Sequence, residues 1–224
     1  MSRRGSEVKT IGGAWQEFRR HRSPWIIWAG IAAYAVLRVA LGSLRWSDAI
    51  ALAAMVAIYP FAEWAIHVYL LHLRPFRWRG REVELVTSKS HRQHHERPDH
   101  LGLILLGPIE AVALLIGITP LVIAVGCGLL ALAGVGVPFG AAVTAGLTGA
   151  VLIAIYEWTH FLIHTAHRPR TRYFRSVHRT HRLHHYKNEH FWHGITNTAA
   201  DRVLGTFPEQ REVPRSPTAR TLAQ

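Results

Sequence analysis

The sequence predicts an all-α membrane protein: four transmembrane helices in two hairpins, with a histidine-rich helical cap on the cytoplasmic side. Three observations predict it. Apolar residues, 49% of the 224, are gathered in blocks rather than spread along the chain. The basic residues behind a formal charge of +12 flank those blocks. Ten of the 16 histidines stand in four short clusters beside them.

A membrane crossing needs about 20 mainly apolar residues. Trp25–Ser43, broken only by Arg38, and Ala49–Ile66, broken only by Glu63, are one crossing each. Leu101–Ile163, interrupted at Glu110, Glu157 and His160, is too long for one crossing and takes two, with a turn near Gly134–Gly140 around Pro138. Gly and Ala on both sides of that turn favour close helix packing in lipid. The expected spans are 25–43, 48–66, 109–133 and 140–163, inside a domain covering 24–207. Residues 1–23 form a basic cytoplasmic segment, in which Ala14–Arg22, with Trp15 and Phe18, is placed along the membrane surface. Residues 208–224, with Pro208, Pro214 and Pro217, are expected to be a flexible tail.

Charge orients the spans. Of the 26 Lys and Arg residues, 24 lie before the first span, between spans two and three, or after span four. Four crossings put all of these on one face, the cytoplasm by the positive-inside rule. Orientation and anionic headgroups therefore account for the charge, and nucleic acid is not an expected partner. The first span is too long for a cleaved signal peptide, and no good cleavage site follows it. Arg38 within it is costly unless it pairs or snorkels, and it lies close enough to the exit end, near Trp46, to snorkel. The lone Cys127 is a small packing residue. The expected location is a bacterial inner membrane, multi-pass, with both termini and the histidines cytoplasmic.

The clusters read His67-x4-His72, His91-x2-His94-His95, His160-x3-His164 and His181-x2-His184-His185. All four fall on the cytoplasmic face, although the charge argument did not use them. The chain also repeats itself: Glu63-Trp64-Ala65-Ile66-His67 resembles Glu157-Trp158-Thr159-His160, and Ser90-His91-Arg92-Gln93-His94-His95 resembles Thr180-His181-Arg182-Leu183-His184-His185. Two related halves of this kind can enclose a site between them. Residues i and i+4 share a helix face, so His160 and His164 project together, and His91 and His181 each meet both later members of their clusters. The i, i+5 pair His67 and His72 differs by roughly 140° on a regular helix. Either that helix is distorted, as by a π-bulge, or the two histidines serve different metals.

Imidazole binds iron, copper, zinc and nickel, and affinity alone does not choose among them. A structural zinc site needs four ligands and usually some thiolate, which is absent from the clusters. Ten imidazoles suit two metals with about five each. Glu63 and Glu157, one turn before His67 and His160, are placed to accept the second ring hydrogen of a ligand. The plainer reading makes them helix-terminal carboxylates facing the headgroups.

With these clusters the chain resembles the membrane fatty acid hydroxylase/sterol desaturase superfamily, which carries four histidine boxes around two pairs of spans. The likeness runs over roughly Glu63–Phe207 and includes His184-His185-Tyr186-Lys187-Asn188-Glu189, Gly194-Ile195-Thr196 and Asp201-Arg202-Val203-Leu204-Gly205-Thr206. It implies two non-haem iron ions, held by His67, His72, His91, His94, His95, His160, His164, His181, His184 and His185, that activate O2 against a lipid C–H bond. It also implies that a purified protein can hold zinc in place of iron. Electrons are expected from a separate electron-transfer protein, since no haem or flavin motif is visible and only about two dozen residues precede the first span.

The expected activity is hydroxylation of a fatty acyl or sphingolipid chain, with sterol or carotenoid hydroxylation or desaturation as the alternative. A non-catalytic lipid- or metal-binding membrane protein is a remoter one. A metal transporter would place ligands along a path through the spans, whereas these are confined to one face. The family usually has an aromatic residue where this chain has His193, which is read as a non-ligand, as are His100, His167, His178 and His190. Oligomeric state is not legible.

Overall fold

The computed structural model describes residues 3–222. Four helices are long and apolar enough to cross a membrane: α2 (Arg22–Ala40), α3 with its π-helical extension (Trp46–Leu71), α5–α6 (Pro108–Leu132) and α7 (Phe139–Ile163). The α3 core is Trp46–Ala65 and its extension Ile66–Leu71. In the third span, α5 (Pro108–Val112) passes through a second π-helical stretch, Ala113–Ile118, into α6 (Thr119–Leu132). The remaining helices are α1 (Ile11–Phe18), α4 (Val86–Glu96), α8 (Arg172–Tyr186) and α9 (Ala199–Val203). The one sheet among the described residues is an antiparallel pair, β1 (Phe76–Trp78) with β2 (Arg81–Val83), turned at Arg79-Gly80.

The chain divides into two compact units. The first contains Met1–Phe18, Pro60–Leu105 and Trp158–Gln224, and the second Arg19–Tyr59 and Leu106–Glu157. All ten histidines of the four clusters belong to the first.

The second unit is built around Ile27, Ala111, Leu115 and Ala150, with Ile31, Tyr34 and Ile153 packed against them. A Cβ on Gly146 would stand 2.5 Å from the Tyr34 ring, so only glycine admits that ring against α7. Tyr34 then donates its hydroxyl to the Leu115 carbonyl at 2.9 Å, inside the π-helical stretch. Arg38 does not snorkel. It forms a two-pronged pair with Asp48, Nε to Oδ1 at 2.7 Å and Nη2 to Oδ2 at 2.8 Å. Thr144 also donates to Asp48, at 2.5 Å, and the carbonyls of Gly42 and Ser43 accept two further guanidinium hydrogens. A planar fork of donors fits a carboxylate in this way, which a lysine would not reproduce.

In the first unit α1 lays Phe18 inward and leaves Trp15 partly exposed at its edge. Phe18 is buried against Trp158 and Phe161, with ring centroids 5.1 and 5.3 Å away, and Trp15 meets Trp158 at 5.7 Å. α8 begins at Thr171, whose hydroxyl accepts the Phe174 N–H at 3.1 Å, a side-chain N-cap. α4 and α8 are otherwise polar helices. The faces they bury carry His91, His94 and His95 on α4, and Val177, Thr180, His181, His184 and His185 on α8.

Removing one partner of a buried ion pair leaves the other charge uncompensated, whereas replacing both with apolar residues often restores stability. Asp48→Leu should therefore lower the thermal midpoint in detergent, and the double change Arg38→Leu with Asp48→Leu should recover most of the loss. An equal loss in single and double variants would contradict the ion-pair account.

Candidate metal centre

Two groups of five histidines form in the first unit, and within each group one ring nitrogen per residue lies within 4.8 Å of every other. The first group is His67, His72, His91, His95 and His184; the second is His94, His160, His164, His181 and His185. The division does not follow the sequence clusters. Each His-x2-His-His cluster keeps its first and last members in one group and sends its middle member to the other. Residues i and i+4 diverge by about 40° on a helix, but i+3 and i+4 diverge by about 100°. The expectation that three imidazoles of one cluster project together thus gives way to a two-plus-one split, and α4 and α8 each serve both groups.

The i, i+5 pair is resolved by local distortion. Ile66–Leu71 is π-helical, and the His72 N–H donates to the His67 carbonyl at 3.1 Å. A π-turn brings i and i+5 onto one face, so His67 and His72 join the same group with ring centroids 4.9 Å apart. The pair comes from one helix, but not from a regular one.

The Nε2 atoms point inward. His91 Nε2 lies 3.2 Å from those of both His67 and His95. His181 Nε2 lies 3.1, 3.0 and 3.0 Å from those of His160, His164 and His185. His94 and His185 meet at 3.1 Å. The outward Nδ1 atoms of three ligands face carbonyls, which can only accept: His67 on His193 at 2.6 Å, His95 on Ala219 at 2.9 Å and His184 on Phe191 at 2.9 Å. Their ring hydrogens are therefore on Nδ1, and their Nε2 lone pairs face the group centres. His184 Nε2 and His72 Nε2 are buried with no hydrogen-bond partner. Two nitrogens bound at right angles about 2.1 Å from one ion stand about 3.0 Å apart. The crowded lone pairs, their spacing and the all-nitrogen donor set fit a divalent transition metal in each group.

Burial keeps these imidazoles neutral, as ligation requires. It pushes His95 down to about 4 and His164 to about 3, from an ordinary 6.5. His72, His91, His94, His181, His184 and His185 are also driven well down, by burial first and neighbouring imidazoles second.

The two carboxylates expected to accept ring hydrogens are found holding loops. Glu63 accepts the backbone N–H groups of Ile195 at 2.5 Å and Thr196 at 2.9 Å, and bonds the Thr196 hydroxyl. Glu157, in the other unit, accepts the Leu106 N–H at 2.6 Å and the Ser23 hydroxyl at 2.8 Å. The ring hydrogens of His67, His95 and His184 go to backbone carbonyls, and two of these carbonyls flank Trp192. This residue adopts φ +58, a left-handed conformation rare for a bulky side chain, so that Phe191 and His193 turn their carbonyls to His184 and His67. Asp201 fixes the turn by accepting from the N–H groups of His193 and Gly194 and from the Thr206 hydroxyl. Trp192, Asp201 and the Glu63–Thr196 contact were not singled out from sequence, although the Gly194–Thr196 and Asp201–Thr206 blocks marked their neighbourhood.

His193 is buried beside the first group and outside both, with ring centroids 5.2 Å from His184 and 5.4 Å from His67. Nor do His100, His167, His178 or His190 join either group. A cleft of about 280 Å³ borders the first group, lined by Trp64, Val68, His72, Arg74, His190 and His193 among others.

A buried imidazole whose folded value is depressed binds fewer protons than its unfolded counterpart between the two values, so folding stability falls as pH drops through that window. For His95 and His164 the window runs from 6.5 down to about 4 and about 3. The metal-stripped chain should keep a constant thermal midpoint above about pH 7.5 and lose stability steadily below 6.5. A midpoint flat from pH 7 to 5 would contradict neutral burial.

Comparison with known proteins identifies the family and the fold. A model of the fatty acid hydroxylase family matches residues 52–206. A dihydroceramide fatty acyl 2-hydroxylase of Arabidopsis thaliana is 26% identical over 185 residues, covering 81% of this chain and 71% of that protein. The structure of full-length scs7p, in which only the hydroxylase domain is visible, superposes with a TM-score of 0.62 at 20% identity, covering 85% of this chain and 69% of that one; at this identity it speaks for the fold. Over more than two thirds of its length, and with its histidine groups included, the chain belongs to the fatty acid hydroxylase family.

Proposed function

We propose that the chain is an O2-dependent hydroxylase of a fatty acyl chain in a membrane lipid, with two iron ions held by the ten histidines. The observation that carries this reading is the pair of buried five-nitrogen groups with converging Nε2 atoms. Five imidazoles exceed the four ligands of a closed structural zinc site, and imidazole without thiolate suits iron. When bound, the iron pair supplies activation of O2 for C–H oxidation, with two electrons from a separate electron-transfer protein. The chain's own residues hold that pair: carbonyls of Phe191, His193 and Ala219 fix three ring tautomers, and α4 and α8 tie the groups together.

A family of fatty acid hydroxylases and a relative named for acyl 2-hydroxylation support an acyl chain over a sterol as substrate. The cleft beside His72 suits such an amphipathic ligand. Trp64 and Val68 offer apolar contact to the chain, while Arg74 and His190 offer donors to its polar end. The distribution of basic residues supports spans in two hairpins, with both termini and the histidine groups on the cytoplasmic side. In this reading 24–207 is the hydroxylase domain, flanked by the basic segment 1–23 and the tail 208–224.

His94→Ala or His164→Ala should each remove the second group's metal and lower turnover by at least about 100-fold, with the spans still inserted. Full turnover with two ions retained in either variant would contradict the assignment. Lipid extracts from cells with and without the chain should differ by a mass gain of one oxygen on an acyl chain. A gain confined to sterols, or none despite iron loading and a reductant, would overturn the substrate reading.

A further inference from the structure

We infer that residues 3–8 and 213–222, which carry no motif, are two straps that position the histidine groups, one on each. The inference rests on the metal reading of those groups. The second strap lies on α4. Ala219, itself buried, presents its carbonyl to His95 Nδ1 at 2.9 Å and so fixes the ring hydrogen that aims Nε2 into the first group. Arg220 holds that contact in register: its Nε donates to the His95 carbonyl at 3.0 Å, its Nη2 donates to the Glu96 carbonyl at 2.5 Å, and its guanidinium lies 5.4 Å from the Tyr186 ring centre. Upstream, Ser216 and Thr218 donate their hydroxyls to the buried Glu189 carboxylate at 3.0 and 2.5 Å, and the Ser216 N–H donates to the Lys187 carbonyl at 2.8 Å. A loose tail would not satisfy a buried carboxylate, a buried imidazole and two α4 carbonyls together.

The first strap lies on the end of α7. Gly5 donates its N–H to the Asp99 carbonyl at 2.7 Å, and the carbonyls of Gly5 and Val8 both accept the Ala166 N–H at 2.9 Å. A Cβ on Gly5 would stand 1.8 Å from the His164 carbonyl oxygen, so the backbone there rests directly on a second-group histidine. The same strap pairs with the stretch after α4, where the Arg3 carbonyl accepts the Leu101 N–H at 3.4 Å. Each strap thus touches a histidine of one group directly: the second touches His95, the first His164.

The test loads the purified full chain with iron(II) under anaerobic conditions and measures the ion retained against a graded chelator. Arg220 is exposed, so Arg220→Ala removes the strap's anchor without opening the core. It should weaken one ion by about 10–100-fold and leave the other unchanged. Pairing identifies the ion. With His160→Ala, which disables the second group, the remaining ion should weaken by that factor; with His67→Ala, which disables the first, it should hold as in His67→Ala alone. Gly5→Ala should show the opposite pairing. Wild-type retention of both ions in Arg220→Ala, or equal weakening in both pairings, would overturn the strap. A wild-type chain that takes up no iron overturns the metal reading instead, before any variant is made.

Discussion

The repulsion among ten crowded, neutral imidazoles, eight of them buried and His72 and His164 half-buried, shapes the rest of this structure. Their Nε2 atoms crowd to 3.0–3.2 Å, and at least His67, His95 and His184 offer lone pairs rather than hydrogens to the group centres. Without a cation, such an arrangement is costly, because buried polar atoms without a partner lose their hydration for nothing in return. The features around the histidines either hold this arrangement or supply what it lacks. Polar helices bury histidine faces, a loop is bent through a strained tryptophan, and carbonyls are turned toward the outer ring nitrogens.

The exchange of middle histidines makes the two groups one object. His94 leaves α4's own group for the second, and His184 leaves α8's for the first. Loss of register in either helix would therefore disturb ligands in both groups at once. The internal repeat acquires a physical meaning in this light. Each half contributes a helix-end pair and a His-x2-His-His helix, and neither half can complete a five-nitrogen group alone. The fold is stabilised by ligation only when both halves are in place.

Much of this was legible in the sequence. Block hydrophobicity marked the four apolar helices, and cluster spacing marked all ten histidines. The mismatch at His67-x4-His72 left a distorted helix or two different metals as its readings, and the π-helical Ile66–Leu71 answers to the first. Other features had no signature. Backbone carbonyls of Phe191, His193 and Ala219 look like any others until the chain is folded. Glu63 sits one turn before a histidine, which suggested an imidazole partner, but its acceptors are used by amides more than 130 residues away. The partner of Arg38 is only ten residues off, yet Asp48 lies beyond the turn, and nothing in the spacing marks it as that partner. The segment 213–222 has a composition typical of a loose tail, and its contacts with Glu189 and α4 follow no periodicity of its own.

A crystal of the iron-loaded chain, measured at the iron absorption edge, would show the crossed assignment of ligands in one experiment. Two anomalous peaks are expected, each about 2.0–2.2 Å from imidazole nitrogens, with His94 beside His160, His164, His181 and His185, and with His184 beside His67, His72, His91 and His95. A single peak, or two peaks with His94 bound alongside His91 and His95, would contradict it.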